Sequence, residues 1–283
     1  MSEILFHLAG RLGNQLFQYA YAHQLSIHFG KSITFFFDKY HHPTSYEWGV
    51  TTQMGPCGHI KCLKMSNAHG LSLKVSDSIY SRSEPLFHLV NKSLNIVRSM
   101  DAFELPSMPK KPPSLVTGFF INASCVRGSP IFTQELEEHL IRRVNVDRLK
   151  VKRNYELFHV RGSDLKESIY GALGREYYRE LPDSGLPRYV ITDDLSHAKS
   201  ILAGIDVAQF FSPEEVNPWE AIKLMQGAKV FIASNSTLAW WGAYLCLKRG
   251  GEAVIPKPFY KGNLSSSELL HIDGFVHANA TFD

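Results

Sequence analysis

No run of the chain is apolar for the roughly 18 positions that a bilayer-crossing helix needs. The amino terminus, MSEILFHLAGRLGNQ, lacks the basic stretch and long apolar core of a secretory leader. Together these absences predict a soluble, cytoplasmic chain, with peripheral attachment at the inner face of a membrane as the alternative. Cysteine is scarce, with 4 residues in 283, and only Cys57 and Cys62 are close. His59 lies between them, but no second Cys or His pair stands at zinc spacing, so free thiols are the simpler expectation. Excess charge is lacking as well: a net charge of +3 is too mild to argue for nucleic acid. The stretch from Arg142-Arg143 to Arg153 is open to two readings, a solvated basic face or a contact with anionic lipid. Also missing are an Asp-x-Asp pair, a common device for holding a divalent cation on a diphosphate, and any His-Glu-x-x-His. No metal ligands are therefore expected, and any bound diphosphate must be met by side chains and helix dipoles.

What is present is alternation. Ile4 to Leu8 reads as a buried strand, Gly10 to Gly13 as a turn and Asn14 to about Phe29 as a widely buried helix, with a second strand at Ser32 to Phe37. From Tyr40 to Gly70 no period emerges, which suggests long loops or an irregular insertion. Leu86 to Met100 has helical periodicity, and the proline-rich run from Pro106 to Pro113 leads into a strand near Leu115 to Phe120, followed by a helix at Thr133 to Arg143. The second half is more regular. Strand runs at 157–160, 189–191, 208–211, 230–233 and 253–255 alternate with helices near 175–181, 196–203, 219–227 and 236–247. That rhythm predicts an α/β fold of parallel sheets with helices on both faces, cut into domains 1–152 and 153–283.

Open parallel sheets bind ligands beyond the carboxyl ends of their strands, and three such ends carry chemistry. At His159-Val160-Arg161-Gly162-Ser163-Asp164 a strand delivers a guanidinium, whose fork of donors suits a phosphate, and a carboxylate that orients it or a substrate hydroxyl. At Ser234-Asn235-Ser236-Thr237 three hydroxyls and an amide gather where a helix begins, suiting either an anion site or a plain cap. At Asp193-Asp194, capping alone explains Asp194, leaving Asp193 as the candidate for ligand contact.

The stretches GRLGNQLFQYA, HVRGSD and IASNSTLAWWGAYL, in this order, resemble the landmark stretches of glycosyltransferase family eleven, the α1,2-fucosyltransferases. The resemblance runs from about Leu5 to Pro256, and within it Tyr40 to Lys111 matches nothing. It implies two Rossmann-like domains in a variant GT-B architecture, GDP-fucose as donor, no obligatory metal or other cofactor, and inversion at the fucose anomeric carbon. The acceptor it implies is the 2-hydroxyl of a terminal galactose of a glycan, which in some relatives is lipid-linked; nucleic acid is not a partner, and oligomeric state is left open. By the same resemblance Arg161 binds the β-phosphate and His159 the nucleotide, while Ser234, Asn235, Ser236 and Thr237 line the diphosphate. Gly10, Arg11 and Gly13 form a backbone wall near the sugar, and Asn14 sits near the fucose and the attacking hydroxyl. The family motif usually reads HxRRxD, whereas here Gly162 takes the place of the second arginine. Relatives carry an acid where Ala221 stands, with Glu220 adjacent as its substitute toward guanine. The catalytic base is open between Asp164, which also suits the task of holding Arg161, and Glu167. Two rival functions remain: transfer from another nucleotide sugar, and nucleotide binding without catalysis.

Overall fold

In the computed structural model, residues 3–36, 54, 60–62, 96–98, 103, 105–162, 165, 168, 170–181, 183–263 and 265–283 are described. The chain divides into two compact units, Met1–Leu136 and Glu137–Asp283. The division falls inside a helix, whereas the boundary expected between 152 and 153 lies just ahead of the second unit's first strand.

The amino-terminal unit holds a five-stranded parallel sheet of β1 (Ile4–His7), β2 (Ile33–Phe36), β3 (Ile60–Cys62), β4 (Ile96–Arg98) and β5 (Leu115–Thr117), in the order β3-β2-β1-β5-β4. Its first helix, α1 (Leu12–Phe29), is buried nearly all round. Gln15 and Gln18 are fully buried, and each finds polar partners. Gln15 Nε2 donates to Gly10 O at 2.9 Å, while Gln18 bridges from Ala9 N (3.1 Å) to Gly118 O (2.7 Å). Ile27, near the end of a helix expected to be widely buried, is 59% exposed. Phe6, Phe35, Phe120 and Tyr21 form the aromatic centre, with Tyr21 stacked on Phe120 at 4.4 Å. The short α2 (Ala123–Arg127) and α3 (Pro130–Arg143) follow β5.

The structure corrects the helix expected at Leu86 to Met100. Ile96–Arg98 is a strand paired in parallel with Leu115–Thr117, and residues 86–95, 99 and 100 lie outside the described residues. Adjacent β-branched Ile96 and Val97 suit a strand, and the pairing overrides the local period. Likewise Ile60–Cys62, inside the stretch expected to be irregular, adds a strand to β2.

The carboxyl-terminal unit holds β6 (Glu156–Val160), β7 (Arg188–Thr192), β8 (Gln209–Phe211), β9 (Val230–Ile232), β10 (Glu252–Lys257) and β11 (Val276–Asn279), all paired in parallel. Their order, β8-β7-β6-β9-β10-β11, is the doubly wound one that reverses direction between its first and fourth strands. All five residues of β6 are buried, as befits a central strand covered on both faces. Connecting helices are α4 (Arg175–Arg179), α5 (Leu195–Ile201), α6 (Pro218–Gly227), α7 (Thr237–Lys248) and α8 (Ser265–Leu269). α7 packs on α6 so closely that a Cβ on Gly242 would stand 2.4 Å from Met225 Sδ. Its Trp240 and Trp241 are fully buried, and Trp240 Nε1 donates to Leu270 O at 2.8 Å. Cys125 and Cys246 are buried free thiols; Cys57 and the side chain of Cys62 lie outside the described residues. Among the described residues no helix is long and apolar enough to cross a membrane.

Candidate functional site

The switch point of the second sheet lies between β6 and β9, and the residues singled out in sequence gather at its carboxyl end. His159, next to last in β6, is hydrogen-bonded through Nδ1 to Ser234 Oγ at 2.7 Å, just past β9. Both side chains are buried, so this bond ties the two strand ends together beneath the surface. Burial first, and the nearby Arg161 charge second, hold the His159 imidazole down at about 4 against the opposing pull of Asp193. The ring is therefore neutral near pH 7.

Arg161 leaves the end of β6 partly exposed, and its Nε meets Asp193 Oδ2 at 3.1 Å. The other Asp193 oxygen accepts the Gly162 N–H at 2.8 Å, so one carboxylate fixes both the guanidinium and the backbone beyond it. Asp194 is the cap of α5, with Oδ1 accepting from His197 N at 2.9 Å and from Ser196 Oγ at 2.7 Å. Asp194 is thus the cap the sequence suggested, while Asp193, singled out for ligand contact, holds Arg161 and the Gly162 N–H. Asp164 and Glu167 lie outside the described residues.

The Ser234–Thr237 stretch splits in two. Ser234 and Asn235 are buried and support the site from below; Asn235 Nδ2 donates to Gly171 O at 2.7 Å and pins the loop beneath. Ser236 and Thr237 reach the surface at the start of α7. Ser236 occupies the cap position without a side-chain cap bond, so its hydroxyl does not occupy the N–H groups of the first turn. Those N–H groups and the positive end of a 12-residue helix therefore lie across the switch point from Arg161, an arrangement suited to an anion.

Glu220 is differently employed. It closes a capping box with Asn217 at the start of α6, and both of its oxygens meet Arg148 Nη2, at 2.8 and 2.7 Å. Arg148 thus belongs to an ion pair, and Arg142 to an exposed one with Glu138. Tyr260 was not anticipated: its ring packs against Tyr170 at 4.8 Å between centres, and burial pushes its hydroxyl well above the usual range. A lone aromatic past the last central strand carries no sequence signal of this.

In the amino-terminal unit Gly10 has φ of +76°, a left-handed turn between β1 and α1. A Cβ there would stand 2.5 Å from Asn14 Nδ2, so the turn also shapes the seat of Asn14. Arg11 caps α1 by backbone alone and is exposed, while Gly13 is buried within the first turn. His7 and Thr117, at the ends of β1 and β5, are hydrogen-bonded at 3.3 Å across this sheet's own switch point. Among the described residues no three His, Cys, Asp or Glu side chains gather as a metal-binding group.

The two parallel sheets make an α/β chain, and solved structures share its fold. A family 9 glycosyl transferase from Veillonella parvula matches with a TM-score of 0.52 at 12% identity, covering 100% of this chain and 88% of that one. The NodZ α1,6-fucosyltransferase of Bradyrhizobium, in a crystal soaked with GDP-fucose, matches with a TM-score of 0.50 at 11% identity, covering 87% and 93%. In sequence, the chain is 25% identical over 288 residues to an alpha-1,2-colitosyltransferase of Escherichia coli, spanning 92% of this chain and 93% of that protein. No protein-family model matches.

Proposed function

We propose that the protein is a glycosyltransferase of two Rossmann-like domains in a GT-B arrangement. It moves L-fucose from GDP-fucose to the 2-hydroxyl of a terminal galactose, with inversion and without a metal cation. The observation that carries this reading is the pairing of the Asp193-braced Arg161 with the positive end of the 12-residue helix α7 across one switch point. The sequence likeness to a sugar transferase of α1,2 linkage supports it.

In the proposed reaction the bond from fucose C1 to the β-phosphate oxygen breaks while the acceptor oxygen bonds C1, and the acceptor proton passes to a carboxylate base, for which the sequence offers Asp164 and Glu167. The carbon acquires oxocarbenium character and GDP gathers negative charge. Preorganised donors aimed at that charge lower the barrier, and here they are the Arg161 guanidinium and the N–H groups of Ser236 to Leu238. Asn14, as the family resemblance implies, positions the acceptor hydroxyl. Burial directs His159, Ser234 and Asn235 to shaping the donor site rather than to the chemistry.

A second reading, transfer of colitose, is favoured by the Escherichia coli relative. A transfer assay on a glycan array, run with GDP-fucose, a colitosyl donor and UDP-sugars and followed by linkage analysis, decides among them. Fucose α1,2-linked to galactose is the expected product. Transfer from a UDP-sugar alone overturns the reading, and nucleotide binding with neither transfer nor donor hydrolysis would leave a binding protein.

A further inference from the structure

Tyr170 is a large aromatic residue left 39% exposed near the carboxyl ends of the second sheet. Its backbone is held from three directions. The N–H donates to Ser168 Oγ at 3.2 Å, and the carbonyl accepts from Lys261 N at 3.0 Å and from Asn235 Nδ2 at 3.3 Å. Gly171, with φ of +70°, turns the chain there, and a Cβ on it would stand 2.9 Å from Phe282 Cδ1. The Tyr170 ring packs on Tyr260, which is itself only 7% exposed. Burial first, and then the Tyr170 phenol, push the Tyr260 hydroxyl up, while the Arg161 charge opposes them. The two rings and that guanidinium therefore share one end of the sheet. They form two layers, an inner ring sealed in the core and an outer residue presented to solvent from a fixed backbone.

Asn235 immediately precedes Ser236 and Thr237 at the start of α7, so the Tyr170 backbone is one hydrogen bond from the stretch read as the diphosphate seat. Lys261 follows β10. Tyr170 thus stands on the β9–β10 side of the switch point, whereas Arg161 and Asp193 stand on the β6–β7 side. In a doubly wound sheet the ribose partner sits at the end of the second strand, here β7. The nucleoside then lies over β6 to β8, and the β9–β10 side is left to the group beyond the diphosphate, which is the sugar. A tyrosine ring offers a negative π face to the weakly positive C–H groups of a sugar's less hydroxylated side. A 6-deoxyhexose adds a methyl group to that apolar surface. We propose that Tyr170, backed by Tyr260, seats the donor sugar and selects a 6-deoxyhexose through this methyl. The proposal rests on the reading of the site as one for a nucleoside diphosphate sugar. It holds for fucose and colitose alike, because both carry the methyl.

Isothermal titration of GDP, GDP-fucose and GDP-L-galactose into the full chain tests it; the two sugars differ only by a hydroxyl on C6. Tyr170→Ala should weaken GDP-fucose roughly three- to tenfold, the usual worth of a specific aromatic contact, and leave GDP unchanged. Tyr170→Phe, which keeps the ring, should bind GDP-fucose as the native chain does. A native preference for GDP-fucose over GDP-L-galactose is expected, and it should shrink in Tyr170→Ala. Undiminished GDP-fucose affinity in a folded Tyr170→Ala protein overturns the proposal, as does an equal loss for GDP, which would put the ring on the nucleotide. Selection through the methyl is overturned if the native chain lacks that preference or if Tyr170→Ala keeps it intact. If the native chain prefers UDP, the fucosyl reading fails, and the same variants are compared on UDP and on the UDP-sugar it binds. If it binds no nucleoside diphosphate, both fall together.

Discussion

Two residues at the end of β6 carry opposite duties, one of them hidden and one presented. His159 is buried as a neutral ring, its folded pKa held below the ordinary 6.5. An unfolded chain takes up that proton first as pH falls, so the stability contributed by the neutral ring is complete above pH 6.5 and is lost as pH drops toward about 4. Thermal melts of the native protein should fall more steeply between pH 6.5 and 4 than those of His159→Gln, which has no such proton to take up; parallel curves would show that the ring is not buried neutral. Arg161 is partly exposed, and in the proposed mechanism it meets the diphosphate. Its replacement by Ala should lower kcat about 10²–10³-fold, as for loss of one preorganised donor at a developing charge. Arg161→Lys should recover only part of this, since an ammonium lacks the planar fork. A near-normal turnover of Arg161→Ala with GDP-fucose would remove it from the mechanism. Among the sequence candidates, Arg161 and Asp193 were legible as charges at strand ends, though their pairing with each other was not. Glu220 was less so, since one carboxylate serves a capping box as readily as a ligand. The packing of His197 on Gly162 gave no sequence signal, because the two stand 35 positions apart.

Elements with strong periods were the readable ones. The alternating strands and helices of the second half fall where their apolar runs placed them, α7 included, because a parallel sheet buries its strands on both faces. Short or exposed elements escaped: β11 pairs with β10 but has an exposed-to-intermediate pattern, and Ile96–Arg98 is only 3 residues long. Helix α7 depends on its fit to α6. Gly242→Ala drives a methyl into Met225 and should cost about 1–3 kcal/mol as overpacking, read as a lower denaturant midpoint with unchanged slope. At the turn before α1, Gly10→Ala meets two penalties. Its φ of +76° costs an L-residue about 1–2 kcal/mol, and its Cβ displaces the Asn14 amide. If Asn14 positions the acceptor, this variant should lose turnover beyond what its stability loss explains; full activity in the folded fraction would detach Asn14 from the reaction.

For the molecule as a whole, donor binding should appear as a stability increment on the carboxyl-terminal unit. GDP at 100 times its Kd adds about 2.7 kcal/mol to a state that alone binds it. Amide exchange in its presence should slow at 159–162, 192–197 and 233–238; protection centred elsewhere would place the nucleotide outside the β6–β9 switch point. Transfer should also persist in EDTA, and abolition restored by a divalent cation would contradict metal independence. The architecture was legible as alternation, but the stretch from Tyr40 to Gly70 was not, for it carries no lasting period. One buried amide has a practical consequence for producing the protein. Asn235-Ser236-Thr237 is an acceptor triplet for N-linked glycosylation. The Asn235 Nδ2 that would receive the sugar is committed to Gly171 O in a residue 1% exposed. A secretory host that modifies Asn235 as the chain emerges would attach a saccharide where the fold leaves no room, so production in a cytosol without that modification is the route to folded material.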